Sequence, residues 1–576
     1  MTTEKKLTRY PSIDKPWLKY YSEEVISAPL PECSIYEYLL ENNKNFANGI
    51  AINYYGRKIT YNELFNNIDL AAKGFSSLGV RTGDIVTIFS TNTPETIYTI
   101  FALNRIGAIA NLEYVTESEK EAVSSVIKCN SHVVVILDIL LQKFLDVANS
   151  EIVEKVVLLP LSASMPPFKK IFFNIQSSQI KIGKGIPYYL MTQRGIGFQD
   201  AAYKKNRPAV IVHSGGTTGT PKGVVHSNES LNYIAWAFKH NGNDTKRGDR
   251  WLCVIPPFHA FGLAMGIIWP LSQGMQLILA IRYTEQELIN LFLKHHPEHL
   301  MASGAHIPCI QANIKIQKMD LSFFKTCGFG GTPLSMAKEK ELVEFLQGRN
   351  SMAKASVGYG MSETCSAVCT ELNRYYGKLG SVGIPLEKVN VKVLDTDSLE
   401  ELTYEQTGEL CFSTPGLMLE YFENRKETEA AFFTDEDGTQ WIHTGDMGYV
   451  DEDGFVYITG RIKRIYSTRA EKAGALFKIF PDYIASVVSE IGSVKDCAVV
   501  CIEDSNYKSI AIAYVILKDH ADEMSVRAEI ISHMKDCLPK HSVPKKICFV
   551  DTFPLTPIGK VDYRALEKEA EEMYRR

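Results

Sequence analysis

A stretch able to hold a polyphosphate stands at residues 210–227, VIVHSGGTTGTPKGVVHS. An apolar strand pattern runs into a loop carrying Gly215, Gly216 and Gly219, the hydroxyls of Ser214, Thr217 and Thr218, and the single cation Lys222. Glycines let backbone N–H groups approach an anion, hydroxyls donate to its oxygens, and a lysine adds a point charge. The loop differs from the P-loop pattern GxxxxGK[ST], which needs lysine directly after glycine; here Pro221 precedes Lys222 and Gly223 follows it. Further short motifs follow in order: PPFHAFG, GFGGTPLS, GYGMSE, TGE, HTGD, GRIKR and, near the C-terminus, PLTPIGKVDYRAL.

The elements that must position these motifs alternate. Thr60 and Glu63 have the spacing of a capping box, and Leu64, Ile68, Ala71, Phe75 and Leu78 continue at helical spacing to a stop at Gly79. Strand patterns DIVTIFS, HVVVILD, AVIVH, WLCVI, MQLILAI and HLMAS are separated by helical ones, including PETIYTIFALNRIG, a segment from Glu117 and the stretch Thr284 to His295. Short apolar runs between helices are what buried parallel strands look like, so this half reads as α/β. From about Lys378 to Tyr457 short glycine-punctuated strands (VNVKVLD, GELCFS, GFVYITG) predict a β-rich unit. Past Gly460 the order helix, strand, strand, helix, strand predicts a small α+β domain.

Composition narrows the function. The 576 residues carry 62 Lys and Arg against 67 Asp and Glu, a net charge of −5, so nothing suggests a nucleic-acid partner. The 12 cysteines form neither a CxxC pair nor a zinc-spaced cluster, which predicts free thiols in a reducing compartment. The start, MTTEKKLTRYPSIDKPW, lacks the apolar core of a secretion signal, and a cytoplasmic location is expected. Trp251 to Ile281 contains no charged Asp, Glu, Lys or Arg, but Pro256, Pro257 and Pro270 interrupt it, so strand, loop, helix and strand are expected rather than a membrane span. The basic-aromatic segment MPPFKKIFFNIQ reads as a loop or lid that could also touch a membrane surface.

Together the motifs resemble those of the adenylate-forming superfamily of acyl-CoA synthetases, luciferases and peptide-synthetase adenylation domains, collinearly from about Ile50 to Leu566. The phosphate loop is similar to [ST]SGTTGxPKG, with Gly215 where the family usually has serine. The resemblance implies a fold of a large N-terminal domain, here 1–460, built of parallel α/β subdomains plus a β-rich subdomain and binding ATP and a carboxylate. A small mobile α+β C-terminal domain, 461–576, would carry the adenylation lysine. The implied activity is that of an AMP-forming acid–thiol ligase: a carboxylic acid is activated with ATP and Mg²⁺, then passed to the thiol of coenzyme A.

The same resemblance implies residue roles. Ser214, Gly216, Thr217, Thr218, Gly219 and Lys222 would hold the phosphates, while Gly331, Thr332 and Pro333 would wall the adenine. In GYGMSE, Tyr359 would stack on the base, Gly360, Met361 and Ser362 would line the nucleotide, and Glu363 would serve Mg²⁺, the one metal ligand expected. Asp446 of HTGD would accept the ribose hydroxyls with its two oxygens, helped by Arg461. Lys560 would bridge the attacking carboxylate and the α-phosphate, neutralising charge that grows in the transition state. Lys463 of GRIKR would be the hinge about which the C-terminal domain turns between the two half-reactions.

The second substrates are less constrained. PPFHAFG has no aspartate for an amino acid's ammonium group, which favours a carboxylate without a free α-amine, and His259 resembles a gate beside the carboxylate site. Phe261, Leu263, Met265 and Ile267 suit a fatty or aryl chain. After GRIKR the chain reaches its next helix through a loop about six residues longer than the family's usual one, a region that helps form the pantetheine tunnel. A carrier protein's phosphopantetheine is therefore the alternative acceptor, and a catalytically silent nucleotide-binding module the alternative class.

Overall fold

The computed structural model describes residues 8–170, 184–195, 197–214, 222–241, 244–282, 284–331, 336–371, 377–464, 466–469, 476–504, 507–518, 521–555 and 561–575. Two mixed sheets, largely parallel, form the bulk of the chain. In the first, the parallel strands Lys354–Tyr359, Thr326–Gly330, His299–Ser303, Arg250–Cys253, Gln276–Leu279 and Ile50–Tyr54 lie side by side, with short antiparallel strands at both edges. In the second, Pro208–His213, Ile109–Leu112, Ile85–Phe89, Val133–Leu137, Lys155–Leu159 and Gly185–Pro187 are parallel, and Gly223–Ser227 and Glu420–Tyr421 close one edge antiparallel. Val133–Leu137 is buried throughout, the pattern of a strand covered on both faces.

The helix Tyr61–Ser77 begins with the anticipated reciprocal capping box between Thr60 and Glu63 and buries Leu64, Ile68, Ala71 and Phe75. The helix Pro94–Ile106 starts on a Thr93 cap and ends at Gly107 in the left-handed region. The uncharged stretch after Trp251 is, as expected, strand, loop, helix and strand. Its helix runs from Ala260 to Ser272 with a π-helical middle, Ala264–Ile268, just ahead of Pro270. Proline lacks the N–H an α-ladder requires, and a widened turn accommodates that loss. Among the described residues no helix is long and apolar enough to cross a membrane. The end of MPPFKKIFFNIQ lies outside the described residues.

The β-rich unit is an antiparallel sheet of Asn390–Leu394, Gly408–Ser413, Gln440–Val450, Phe432–Thr434 and Val456–Arg461. The small C-terminal domain follows. Strands Val494–Asp504, Lys508–Leu517 and Lys546–Phe549 form its sheet, with helices Pro481–Ser489, Glu523–Cys537 and Tyr563–Arg575. Two features there go beyond the sequence reading, the hairpin Tyr466–Arg469/Leu476–Ile479 and the last helix, Tyr563–Arg575. This domain keeps its own apolar cores, one around Val499 and Ile530 and another around Tyr514 and Leu566.

Candidate active site

Ser214 and Lys222 stand at the mouth of the glycine-rich loop, whose residues Gly216, Thr217, Thr218 and Gly219 lie outside the described residues. His213 pairs with Gly223 across the antiparallel strands, and the Ser214 N–H donates to the Lys222 carbonyl at 2.9 Å. The strand Pro208–His213, which leads into Ser214, is braced by buried polar side chains. His213 Nε2 lies 3.0 Å from the buried Glu113 carboxylate and 2.9 Å from Asn111 Oδ1. Burial would raise the Glu113 carboxyl, but His213 and hydrogen bonds from Ser125 and Asn111 bring it down to about 2.

The turn Ser362–Thr364 holds Glu363, which is only 7% exposed. Buried carboxylates need donors, and the Tyr421 hydroxyl donates to Glu363 Oε1 at 2.7 Å. The Lys222 ammonium sits 4.5 Å over the Tyr421 ring and 2.5 Å from Glu427 Oε2. His226, the fourth residue of the strand Gly223–Ser227 that leaves the loop, fixes the same turn: its Nε2–H donates to the Ser362 carbonyl at 2.7 Å. Burial drives that imidazole down to about 4, so it is neutral at pH 7. Lys222, Tyr421, Glu363 and His226 thus connect the phosphate loop to GYGMSE.

The same motif starts at the end of strand Lys354–Tyr359. Gly360 is demanded by space, because a Cβ there would meet the Ser366 carbonyl oxygen at 1.6 Å. The Tyr359 hydroxyl donates to Asp446 Oδ2 at 2.6 Å, and Arg461 Nε reaches Asp446 Oδ1 at 2.9 Å. Burial and the adjoining carboxylate push the Tyr359 phenol well above its ordinary range. Three residues singled out from separate motifs therefore meet. Gly331 and Met361 are described on the neighbouring strand ends, whereas Thr332, Pro333 and Lys560 lie outside the described residues. Leu555 and Val561, which flank the segment containing Lys560, pair antiparallel.

His259 stands just before the apolar helix that runs from Ala260 to Ser272, and its ring packs 5.2 Å from Tyr114, whose hydroxyl donates to the His213 carbonyl at 2.6 Å. The helix buries Leu263, Met265 and Ile267 fully, while Phe261 is partly buried. Lys463 is exposed in the turn Ile462–Arg464. Tyr421, Glu113 and Tyr114 escaped the sequence reading because they are distant in the chain and belong to no motif, and His226 because nothing in its own stretch marks Ser362 as its partner; only strand pairing brings them in.

Residues 39–422 match the AMP-binding enzyme family, and residues 483–560 match the C-terminal domain of AMP-binding enzymes. The chain belongs to this family. Its curated relatives include a long-chain-fatty-acid–CoA ligase of Bacillus subtilis strain 168, 26% identical over 97% of this chain and 98% of that protein. A 4-coumarate–CoA ligase of Arabidopsis thaliana is 26% identical over 88% of this chain and 85% of its own. Among solved structures, an anthranilate CoA ligase in complex with anthranoyl-AMP superposes with a TM-score of 0.81 at 20% identity, covering 95% of this chain and 99% of that one. The o-succinylbenzoate coenzyme A synthetase of Bacillus subtilis, in complex with ATP and magnesium, gives 0.71 at 22% identity, covering 92% and 98%. The fold is therefore that of the AMP-binding enzymes, and this AMP-binding enzyme is an AMP-forming acid–thiol ligase.

Proposed function

We propose that the enzyme activates a fatty acid as its acyl-adenylate and transfers the acyl group to coenzyme A. The observation that carries this reading is the convergence of Tyr359, Asp446 and Arg461, with Glu363 on the turn that follows Tyr359. In this reading Tyr359 stacks on adenine, Asp446 and Arg461 hold the ribose, and Ser214 and Lys222 flank the phosphates. The Glu363 carboxylate, buried and oxygen-bearing, fits Mg²⁺, which when bound would neutralise phosphate charge. Lys560 contributes its charge in adenylation, and the chain divides at the start of GRIKR into domains 1–460 and 461–576, with Lys463 as the hinge.

The apolar helix behind His259 supports an aliphatic or aryl chain, and the Bacillus relative's name supports a fatty one. A cytoplasmic enzyme of fatty acid metabolism is consistent with the cysteines, none of which forms a disulfide. ATP–pyrophosphate exchange across fatty, aryl and amino acids, repeated with coenzyme A, tests the proposal. Exchange with long-chain acids and acyl-CoA formation are expected. Exchange confined to aryl acids would overturn the fatty-acid assignment, and exchange without a coenzyme A product would redirect the second step to a carrier protein.

A further inference from the structure

Asp446 reaches Tyr359 because its strand departs from the ladder just before it. In the pairing of Gly408–Ser413 with Gln440–Val450, Cys411 faces His443 and Glu409 faces Met447. Leu410 alone therefore spans Thr444, Gly445 and Asp446, a bulge that pushes these residues out of register. Such a bulge needs fixing, the more so because Gly445, at φ +70°, has wide conformational freedom. The Thr444 hydroxyl donates to the Leu410 carbonyl at 2.6 Å and receives the Asp446 N–H at 3.0 Å.

The rest of the fixing comes from one buried side chain. Glu409 Oε1 accepts the Gly445 N–H at 2.9 Å, and Glu409 Oε2 accepts Nδ1–H of His443, also at 2.9 Å. One carboxylate thus grips the bulge on both sides of Thr444, and its 8% exposure keeps water from competing for those bonds. We propose that Glu409 is a positioning residue for nucleotide recognition: through Gly445 and His443 it sets the turn that presents Asp446 to the ribose. The inference rests on the ribose role of Asp446 in the proposed function.

A nucleotide lacking the ribose hydroxyls separates positioning from general stability. Binding of MgATP and of Mg-2′,3′-dideoxy-ATP to the full-length enzyme is measured by calorimetry for wild type, Glu409→Ala, Glu409→Gln and Asp446→Ala. Wild type should prefer ATP. Glu409→Ala should weaken ATP about tenfold, the scale of a lost hydrogen bond to a charged group, and leave dideoxy-ATP within about twofold. Glu409→Gln should keep most of the preference, since its amide oxygen still accepts the Gly445 N–H. Equal weakening of both nucleotides in Glu409→Ala, or of neither, would overturn the positioning role alone. A preference that survives Asp446→Ala would overturn the ribose reading and the inference with it. Should Glu409→Ala fail to fold, Glu409→Asp, whose carboxylate falls one methylene short, serves the same comparison, and a wild-type preference there refutes the proposal.

Discussion

A carboxylate inside a protein needs hydrogen-bond donors around it, and Glu363 gains one from a strand nearly sixty residues away. Tyr421 gives it a hydroxyl at 2.7 Å and at the same time carries Lys222 on its ring. Tyr421→Phe keeps the ring and removes the donor, so adenylation kcat/KM for ATP should fall about tenfold with the protein still folded. Wild-type exchange kinetics in this variant would take Tyr421 out of the site. Lys560→Ala tests the other charge. It should abolish acyl-adenylate formation yet leave thioester formation from a supplied adenylate largely intact, because the proposed swing of the C-terminal domain carries Lys560 away from the adenylate before the thiol attacks. Equal loss of both half-reactions, read in separate single-turnover assays, would remove that assignment.

At the scale of elements, connecting segments store a different kind of information. Glu387, between strands Ile384–Pro385 and Asn390–Leu394, is 1% exposed with no hydrogen-bond partner for either carboxylate oxygen among the described residues. Burial pushes its carboxyl up to about 8. The folded state then binds a proton that the unfolded state releases near its ordinary value, so folding loses stability as pH rises from about 4.5 to about 8. Glu387→Gln removes this term. Its melting temperature should pull ahead of wild type as the pH is raised through that window, and a gap independent of pH would show that Glu387 does not hold its proton. The segments read most readily from sequence were those whose local signals agree with their packing, such as the Thr60/Glu63 capping box and the all-apolar Val133–Leu137. The Tyr466–Arg469 hairpin and the Tyr563–Arg575 helix were missed because the former is too short to show a period and the latter is mostly charged. Within the site, motif residues such as Asp446 were legible, and Glu409 stands in TGE and His226 in the phosphate stretch, but the partners these two take, and the arrival of Tyr421, depend on register, which spacing alone does not encode.

At the scale of the whole molecule, the turn Ile462–Arg464 joins two differently anchored pieces. Arg461 is tied to Asp446 of the β-rich unit at 2.9 Å. Arg464, three positions on, belongs to the small domain: it pairs with Asp482, donates to the Val499 carbonyl at 2.6 Å and lies 3.5 Å from the Tyr563 ring centre. Lys463 stands exposed between them. Ion pairs elsewhere between the small domain and the rest, Lys338–Asp496 at 3.8 Å, Lys478–Asp397 at 3.7 Å and Lys518–Glu341 at 3.6 Å, are long and solvent-accessible. Such pairs contribute about 0–1 kcal/mol each, so they oppose a rotation only weakly. Backbone torsions near Lys463 are then where a domain swing would be absorbed, and Lys463→Pro, which locks φ, tests it. Pyrophosphate exchange should stay within about threefold of wild type while thioester formation slows at least about tenfold, since only the second half-reaction requires the swing. Thioester formation at the wild-type rate in that variant would place the pivot elsewhere in the chain.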